Sequence, residues 1–263
     1  MTFLTDFGTA DYFVAAMKGV VLSAAPGATL VDVTHEIAPQ DVAAAAFTLA
    51  AAYETFPAGS IHVAVVDPGV GSERRAIVVE ASHLFVGPDN GIFTHVLARE
   101  PGARVHHITR EHLFRHPVST TFHGRDVFAP VAGALAAGLP AGAVGEEIHD
   151  PVRLAETGVE RLADGSLRTR VLHVDRFGNC ITGFRAGDLP GGRLPEGFRL
   201  TIGLAEIGRL RSHYAEAGGT PGEPFAIWGS AGFLEVSIER GSAARRLGAE
   251  VGSAVVLRGA GEA

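Results

Sequence analysis

Residues 61–71 read IHVAVVDPGVG, and this stretch decides the fold class. The apolar, β-prone run Ile61–Val66 leads directly into Asp67 and then into a turn that contains two glycines. A short apolar run that ends in a turn is typical of a buried strand, and glycines let a backbone approach a ligand closely. The stretch predicts an interior strand of an α/β sheet with a polar carboxyl end. A tight turn closed by a surface ion pair remains the alternative.

Strands and helices are predicted to alternate on both sides of this stretch. Such alternation favours a mostly parallel sheet that is covered on both faces. Asp11 and Asp41 each precede a helical pattern and are predicted to be N-caps. The predicted strands are Thr2–Leu4, Thr29–Val33, Ile61–Val66, Ala76–Val79 and Leu84–Val86, and the predicted helices are Tyr12–Ala24, the Ala-rich run from Asp41 to about Tyr53, and Val127–Ala137.

Polar side chains follow four of the predicted strands. They are Asp6, the segment Asp32–His35, Asp67, and the pair Asp89 and Asn90. Ligands of open α/β sheets bind outside the carboxyl ends of the strands. A helix cap would explain any one of these residues, but four polar ends together favour a binding site.

The second half of the sequence has a different character. Residues 151–165 are predicted to be a linker between a first domain, 1–150, and a second domain, 166–263. Short β-rich runs punctuated by Gly and Pro indicate a small β-domain, either a barrel or a sandwich. These runs are Leu167–Val174, Arg199–Ile202, Phe225–Ile227, Leu234–Ile238 and Ala254–Leu257.

Composition excludes several classes of protein. The net charge of −7 argues against a general nucleic-acid binder, because such proteins need clustered Lys and Arg. Cys180 is the only cysteine, so no intrachain disulfide is possible, which fits a reducing compartment. Neither a secretory signal nor a membrane-spanning run is evident, so we expect a cytoplasmic protein without a membrane partner. The histidines show no convincing metal spacing, and no nucleophile elbow is present.

Three further motifs bear polar groups suited to ligand binding. Residues 120–126 read TTFHGRD and combine His123 with an arginine and an aspartate, although a helix entry capped by Asp126 would look the same. Residues 175–179 read DRFGN and suit a zwitterionic or purine-bearing ligand, although an ordinary turn between strands remains the alternative. The small-residue turns 229–233 and 241–244 could bring backbone close to a ligand.

Together, and in this order, these motifs resemble the S-adenosylmethionine (SAM) hydroxide adenosyltransferases, the adenosine-forming SAM hydrolases related to the fluorinase and chlorinase. Any single motif is weak, whereas the set is specific and spans nearly the whole chain. The segments that carry the resemblance are TDFG at 5–8, MKG at 17–19, VDVTH at 31–35, VVDPGVG at 65–71, PDNG at 88–91, TFHGRD at 121–126, DRFGN at 175–179 and GSAA at 241–244.

The resemblance implies an N-terminal α/β/α sandwich and a smaller C-terminal β-barrel. It also implies a homotrimer in which SAM binds between one subunit's first domain and its neighbour's second domain. SAM is then the substrate and water the nucleophile, so no cofactor is expected.

The resemblance also implies the roles of individual residues. Asp67, Arg74 and His123 match the set that holds the attacking water. Asp67 is our candidate for the acceptor of the water proton, although the sequence does not decide which group takes it. Asp11 is expected on the ribose hydroxyls, Asp175 on the methionine ammonium, Asn179 and Tyr214 on adenine, and Ser230 on the carboxylate. The further residues expected to contact the substrate are Asp6, Asp89, Asn90, Phe177, Phe233, Ser242 and Ala243.

Two other functions remain open on sequence grounds. A SAM-dependent halogenase is the enzymatic alternative, but Asp67 points to water because a carboxylate repels a halide. A sensor that binds SAM or adenosine without turnover is the non-enzymatic alternative. The sequence departs from many relatives at Glu239, where an asparagine is expected, and at Gln40, where the fluorinase has a bulky aromatic residue.

Overall fold

A computed structural model describes residues 1–154, 158–216 and 220–259. The chain divides into two compact units, Met1–Leu154 and Ala155–Ala263, each with its own β-sheet. The fold is therefore mixed α/β with two sheets. Of the predicted linker 151–165, residues 155–157 lie outside the described ranges.

The first unit contains seven strands and four helices. The strands are β1 (Thr2–Thr5), β2 (Val31–Thr34), β3 (Ile61–Val65), β4 (Ala76–Glu80), β5 (Leu84–Pro88), β6 (Arg104–His107) and β7 (Glu147–Ile148). The helices are α1 (Phe13–Ala24), α2 (Val42–Ala52), α3 (Thr94–Arg99) and α4 (Ala129–Ala136). The strands lie in the order β2-β1-β3-β5-β4-β6-β7.

This sheet is mixed, with parallel pairing on one side and antiparallel pairing on the other. Strands β2, β1, β3 and β5 pair in parallel, whereas β4 pairs antiparallel with β5 and β6, and β6 with β7. The predicted alternation of strands and helices does not extend to β4 and β5. Only residues 81–83 join those two strands, and so short a connection permits a hairpin but not a crossover helix.

The central strands send alternate side chains into two different cores. Val63 and Val65 of β3 pack in a cluster with Met17 of α1 and Val131 of α4. Ala64 and Val66 belong to a second cluster, which includes residues of α2 and α3. Because side chains alternate along a strand, both faces of β3 are buried, as its continuous apolar run predicts.

The structure corrects one helix cap and confirms another. Tyr12, not Asp11, occupies the cap position of α1, and it makes no side-chain capping bond, so the Asp11 prediction was wrong. Asp41 does cap α2, because its Oδ1 accepts a hydrogen bond of 2.9 Å from the Ala44 amide. The helix predicted from Val127 is preceded by a π-helical turn at Gly124–Phe128, so Asp126 lies inside a helical turn and is not its cap.

The second unit contains a sheet that curls into a half-barrel. Its strands are β8 (Glu160–Arg161), β9 (Leu167–Val174), β10 (Cys180–Arg185), β11 (Arg199–Ile202), β12 (Ala205–Ile207), β13 (Leu210–Arg211), β14 (Phe225–Trp228), β15 (Phe233–Ser237) and β16 (Ala254–Arg258), and its helix is α5 (Ala243–Leu247). The strands lie in the order β12-β11-β16-β9-β10-β15-β14-β13, and β8 pairs with β9 outside this order. Strand β9 joins the strands on the β16 side of this sheet to those on the β10 side. Its residues 167–170 pair with β16, and the remainder of the strand pairs with β10.

No helix in the three described ranges combines the length and apolar character needed to cross a bilayer. In those same ranges, no three side chains of His, Cys, Asp or Glu come together as a group that could hold a metal ion.

Candidate active site

Asp67, Arg74 and His123 lie together in the first unit. The Arg74 guanidinium donates to both carboxylate oxygens of Asp67, with Nε–Oδ1 at 2.9 Å and Nη2–Oδ2 at 2.6 Å. The same Nη2 lies 2.8 Å from His123 Nδ1. The Asp67 and Arg74 side chains are only 5% and 10% exposed, so this is a largely buried ion pair and not the surface pair of the alternative interpretation.

The hydrogen bond from Arg74 fixes the protonation of His123. A guanidinium can only donate hydrogen bonds, so His123 Nδ1 must accept and the ring proton resides on Nε2. Burial, followed by the positive charge of Arg74, lowers the pKa of His123. The imidazole is therefore neutral near pH 7 and offers an Nε2–H donor.

The turn after β3 brings Asp67 and Arg74 to the same place. Within it, the Val70 amide donates to the Asp67 carbonyl, and the Ser72 amide and hydroxyl both donate to the Gly69 carbonyl. Gly71 has a φ of +78°, and a Cβ at this position would lie 2.3 Å from the Thr120 carbonyl oxygen. The turn thus touches the segment that carries His123, and only glycine permits that approach.

Asp126 organises the segment around His123. Its buried carboxylate accepts hydrogen bonds from the Ser119 amide and from the guanidinium groups of Arg125 and Arg115. Burial alone would raise the pKa of Asp126, but these donors hold it below its ordinary value. The π-helical turn follows His123 directly, and such turns are frequent at functional sites.

Asp11 lies on an exposed loop beside this segment. The ring of Phe122 is 6.4 Å from Tyr12 and 5.1 Å from Phe13, centroid to centroid. In the part of the chain that the structure describes, no hydrogen bond or ion pair is seen for the Asp11 carboxylate. Both features suit a residue whose partner is a ligand.

His35 holds the beginning of that loop in place. Its Nδ1 lies 2.9 Å from the Thr5 hydroxyl, and its carbonyl accepts a hydrogen bond of 2.8 Å from the Gly8 amide. Its Nε2 lies 3.0 Å from Asp32 Oδ1, an electrostatic contact that is not aligned as a hydrogen bond. Lys18, the only lysine in the sequence, pairs with the other oxygen of Asp32 at 2.7 Å.

Several predicted substrate residues of the first unit already have intramolecular partners. Asp6 accepts a hydrogen bond from the Gln40 amide, and Asn90 bonds to the Val66 carbonyl and the Ile92 amide. Asp89 is buried and accepts from Arg75 and from the Val152 amide. The predicted substrate contacts of these three residues remain predictions.

Arg75 has a role that the sequence did not indicate. Besides Asp89 it binds Asp150 twice, through Nη1 to the carboxylate and through Nη2 to the carbonyl, both at 2.7 Å. Burial would lower the pKa of Arg75, but the bond to Asp150 raises it. Adjacent residues of an extended chain point to opposite sides. Arg74 therefore contacts Asp67 and His123, while Arg75 binds Asp150 on the other side.

The second unit contains a cavity of 730 Å³, which is lined by five of the eight substrate residues predicted in that unit. Sequence reasoning missed several of its lining groups, because they come from different strands and form no local motif. The predicted lining residues are Asp175, Phe177, Asn179, Tyr214 and Ser230, together with Gly229 and Gly241 of the two small-residue turns, and those missed are Trp228, Glu235, Ile238, Arg240 and Arg245.

Asp175 organises the turn between β9 and β10. Its Oδ1 accepts from the amides of Phe177 and Asn179, and its Oδ2 accepts from the Asn179 side chain. The turn interpretation of DRFGN is therefore correct, and it coexists with a place at the cavity wall.

Three predicted substrate residues are not among those that line this cavity. Phe233 is buried beneath the Arg185 guanidinium, and Ala243 is fully buried in the core of the unit. Ser242 caps α5 by accepting a hydrogen bond from the Arg245 amide. Their contacts with substrate remain predictions.

Comparison with known proteins identifies the family. Residues 1–145 match the SAM hydroxide adenosyltransferase N-terminal domain, and residues 169–256 match the corresponding C-terminal domain. The (R)-S-adenosyl-L-methionine hydrolase of Thermus thermophilus is 40% identical, over 97% of this chain and 98% of its own length. The fluorinase of Nocardia brasiliensis is 26% identical, over 98% of this chain and 96% of its own.

A solved structure extends the match to three dimensions. It is titled an uncharacterized conserved protein from Thermotoga maritima, and it is 32% identical with a TM-score of 0.88, covering 97% of this chain and 98% of its own. Both family domains, a relative at 40% identity and this fold likeness agree across nearly the whole sequence. The chain belongs to the SAM hydroxide adenosyltransferase family.

Proposed function

We propose that this protein hydrolyses SAM to adenosine and L-methionine by in-line attack of water on the ribose 5′ carbon. The contact set of Asp67, Arg74 and His123 carries the proposal. It offers a carboxylate that can accept a proton beside an Nε2–H donor, which is the arrangement needed to hold and activate a water molecule. The greater similarity to a SAM hydrolase than to a fluorinase supports it.

Water is a poor nucleophile and must be activated for this reaction, whereas the leaving group needs no acid catalyst. The water oxygen bonds to the 5′ carbon while the carbon–sulfur bond breaks. The electron pair of the broken carbon–sulfur bond stays on sulfur, which converts the sulfonium to the neutral thioether of methionine. Since the leaving group is neutral, nothing has to protonate it. The water loses one proton, which Asp67 accepts and passes to solvent, while the hydrogen bonds from Arg74 hold the carboxylate in place.

The surroundings of the proposed water make Asp67 the better proton acceptor. His123 Nδ1 is occupied by Arg74, so the imidazole can orient water through Nε2–H but not take its proton at Nδ1. Holding the water in line with the sulfur would itself remove several kcal/mol, roughly, of the barrier.

The remaining assignments belong to the same proposal. Asp11 would bind the ribose hydroxyls, and Asn179, Tyr214 and Ser230 would bind the adenine and carboxylate ends. Residues 1–150 would form an α/β/α sandwich with the catalytic groups, and 166–263 a β-barrel that completes the SAM site.

We further propose a cytoplasmic homotrimer with active sites at subunit interfaces, acting without a metal or cofactor. Separation of ligand-type residues between two compact units supports shared sites. Light scattering that found a fully active monomer would contradict the trimer.

The test is product identification with purified protein, SAM and no added metal. In ¹⁸O-water the label should enter the adenosine 5′-hydroxyl, and EDTA should not slow the reaction. Added chloride should yield no 5′-chloro-5′-deoxyadenosine, the product expected of a halogenase. Tight SAM binding without methionine release would instead indicate a sensor, and unlabelled adenosine would refute hydrolysis at the 5′ carbon.

A further inference from the structure

Glu235 is a buried carboxylate that faces the cavity of the second unit. It lies on β15 and is only 8% exposed. The Tyr214 hydroxyl donates to its Oε2 at 3.0 Å. Within residues 158–216 and 220–259, no other hydrogen bond and no ion pair is seen for this carboxylate, so Oε1 keeps its acceptor capacity for a ligand.

Burying a carboxylate without a cation is costly, and a functional reason is therefore expected. Burial raises the pKa of Glu235, the Tyr214 hydroxyl opposes that rise, and the negative charge of Asp175 adds to it. The cavity thus contains two carboxylates, and a bound cation would relieve both their repulsion and their desolvation.

The neighbouring turn is shaped to hold the Glu235 carboxylate where it is. Gly229 begins the hairpin connection between β14 and β15, and its amide donates to the Phe233 carbonyl at 2.9 Å. A Cβ at Gly229 would lie 1.7 Å from Glu235 Oε1. The carboxylate therefore rests directly on the glycine backbone, and any larger residue would displace it.

Asp175, the other carboxylate of the cavity, has less acceptor capacity left. Two donors of its own turn reach its Oδ1 and one reaches its Oδ2, so only Oδ2 can accept a further donor. Glu235 accepts a single hydrogen bond, from Tyr214, and its Oε1 can therefore accept a donor without losing any contact.

We propose that Glu235 is a second carboxylate that accepts the α-ammonium group of the methionine moiety, beside Asp175, a role that rests on the proposed function. An ammonium carries three N–H donors, enough for both carboxylates, whereas a sulfonium has none. Asp175 also holds the turn that carries Phe177 and Asn179.

The test compares two ligands on matched variants. The ligands are SAM and the S-adenosyl derivative of 4-(methylthio)butanoate, which keeps the sulfonium and carboxylate but lacks the α-amino group. Glu235→Gln preserves the volume and the acceptor for Tyr214, so it should fold, as a melting curve would verify. Glu239→Gln is the control, because Glu239 is half-exposed and is not among the lining residues.

Glu235→Gln should raise the Kd and KM for SAM about 10-fold to 100-fold, the loss expected for a charge-assisted hydrogen bond, with kcat little changed. The Kd of this variant for the deaminated analogue should stay within about twofold of wild type. The Kd values of Glu239→Gln for both ligands should also stay within about twofold of wild type. Gly229→Ala, whose methyl group must displace the carboxylate, should reproduce the selective loss.

Two results would overturn this assignment. Unchanged SAM affinity in Glu235→Gln would remove Glu235 from binding, and equal losses for both ligands would mean that it senses the sulfonium. A wild-type protein that does not cleave SAM would instead refute the proposed function, so the two failures are distinguishable.

Discussion

At the scale of single residues, the carboxylate of Asp67 has two separable properties, its shape and its charge. Asp67→Asn keeps the shape, but an amide is a very poor proton acceptor and does not offset Arg74. We expect kcat to fall by about 10²-fold or more, with the SAM dissociation constant within a few-fold of wild type. Single-turnover kinetics and calorimetric SAM binding would measure the two effects.

Glu73→Gln provides the matched control for that substitution. Glu73 is an exposed carboxylate on the same turn, and its loss should leave both quantities unchanged. Near-normal turnover in Asp67→Asn would exclude Asp67 as the proton acceptor and leave water activation to positioning by His123.

Local motifs allowed part of the site to be predicted residue by residue. Asp67 and Arg74 lie seven positions apart on one turn, and His123 stands in a recognisable motif, so the sequence indicated all three. Arg75 and Glu235 were missed. Their partners are remote along the chain, with Asp150 lying 75 residues from Arg75 and Tyr214 lying 21 residues from Glu235, and no local pattern reports such contacts.

At the scale of elements, the contact between the 67–74 turn and the 119–123 segment decides the geometry of the site. Gly71→Ala would place a methyl group against the Thr120 carbonyl at a positive φ, which costs roughly 1–2 kcal/mol before any clash. We expect a lower Tm and a kcat reduced about 10-fold or more, because a shift of about 1 Å separates His123 from Arg74.

Gly102→Ala is the control, since Gly102 lies in open space and does not have a positive φ. It should change neither the melting temperature nor kcat. Wild-type turnover in Gly71→Ala would mean that the two segments can separate without disturbing the catalytic contacts.

Apolar patterning predicted many of the elements but missed the six-residue strand β10 and the shortest elements. Leu167–Val174 and Arg199–Ile202 match β9 and β11 from end to end. The five-residue helix α5 and the two-residue β13 are too short to leave a periodic signal, and the local signal for α5 is confined to its cap, Ser242. The π-helical turn at 124–128 has no sequence signature either, because it depends on the contacts of Asp126.

At the scale of the whole molecule, one buried histidine should make the fold sensitive to acid. His62 of β3 is fully buried, stacked on Phe85 and bonded to the Thr2 hydroxyl at 2.7 Å. Burial, followed by the charge of His83, lowers its pKa to about 3. The unfolded chain binds a proton near pH 6.5 and the folded chain does not, so the free energy of unfolding should fall as the pH drops from 6.5 towards 3.

Denaturant unfolding between pH 6.5 and 5 would measure this effect, since most carboxylates stay ionised there. His62 alone should contribute a slope that approaches about 1.4 kcal/mol per pH unit, and His62→Gln should lose that contribution while keeping those of His107 and His123, whose pKa values are also lowered. His112→Gln, at an exposed position, should retain the wild-type slope. An unchanged slope in His62→Gln would assign the acid sensitivity to other groups.

The hydrogen bonds that hold residues 150–154 to the first unit determine where this unit can be truncated. The match to the N-terminal family domain ends at 145, yet Asp150 binds Arg75, the Val152 amide binds Asp89, and the Leu154 amide binds Thr94. A protein truncated at 145 would leave the buried Asp89 carboxylate with fewer donors and Arg75 without Asp150, at the strand that follows Arg74. The limit of the family domain therefore falls short of the contacts that complete the first unit, and a fragment of this unit should retain the chain through Leu154.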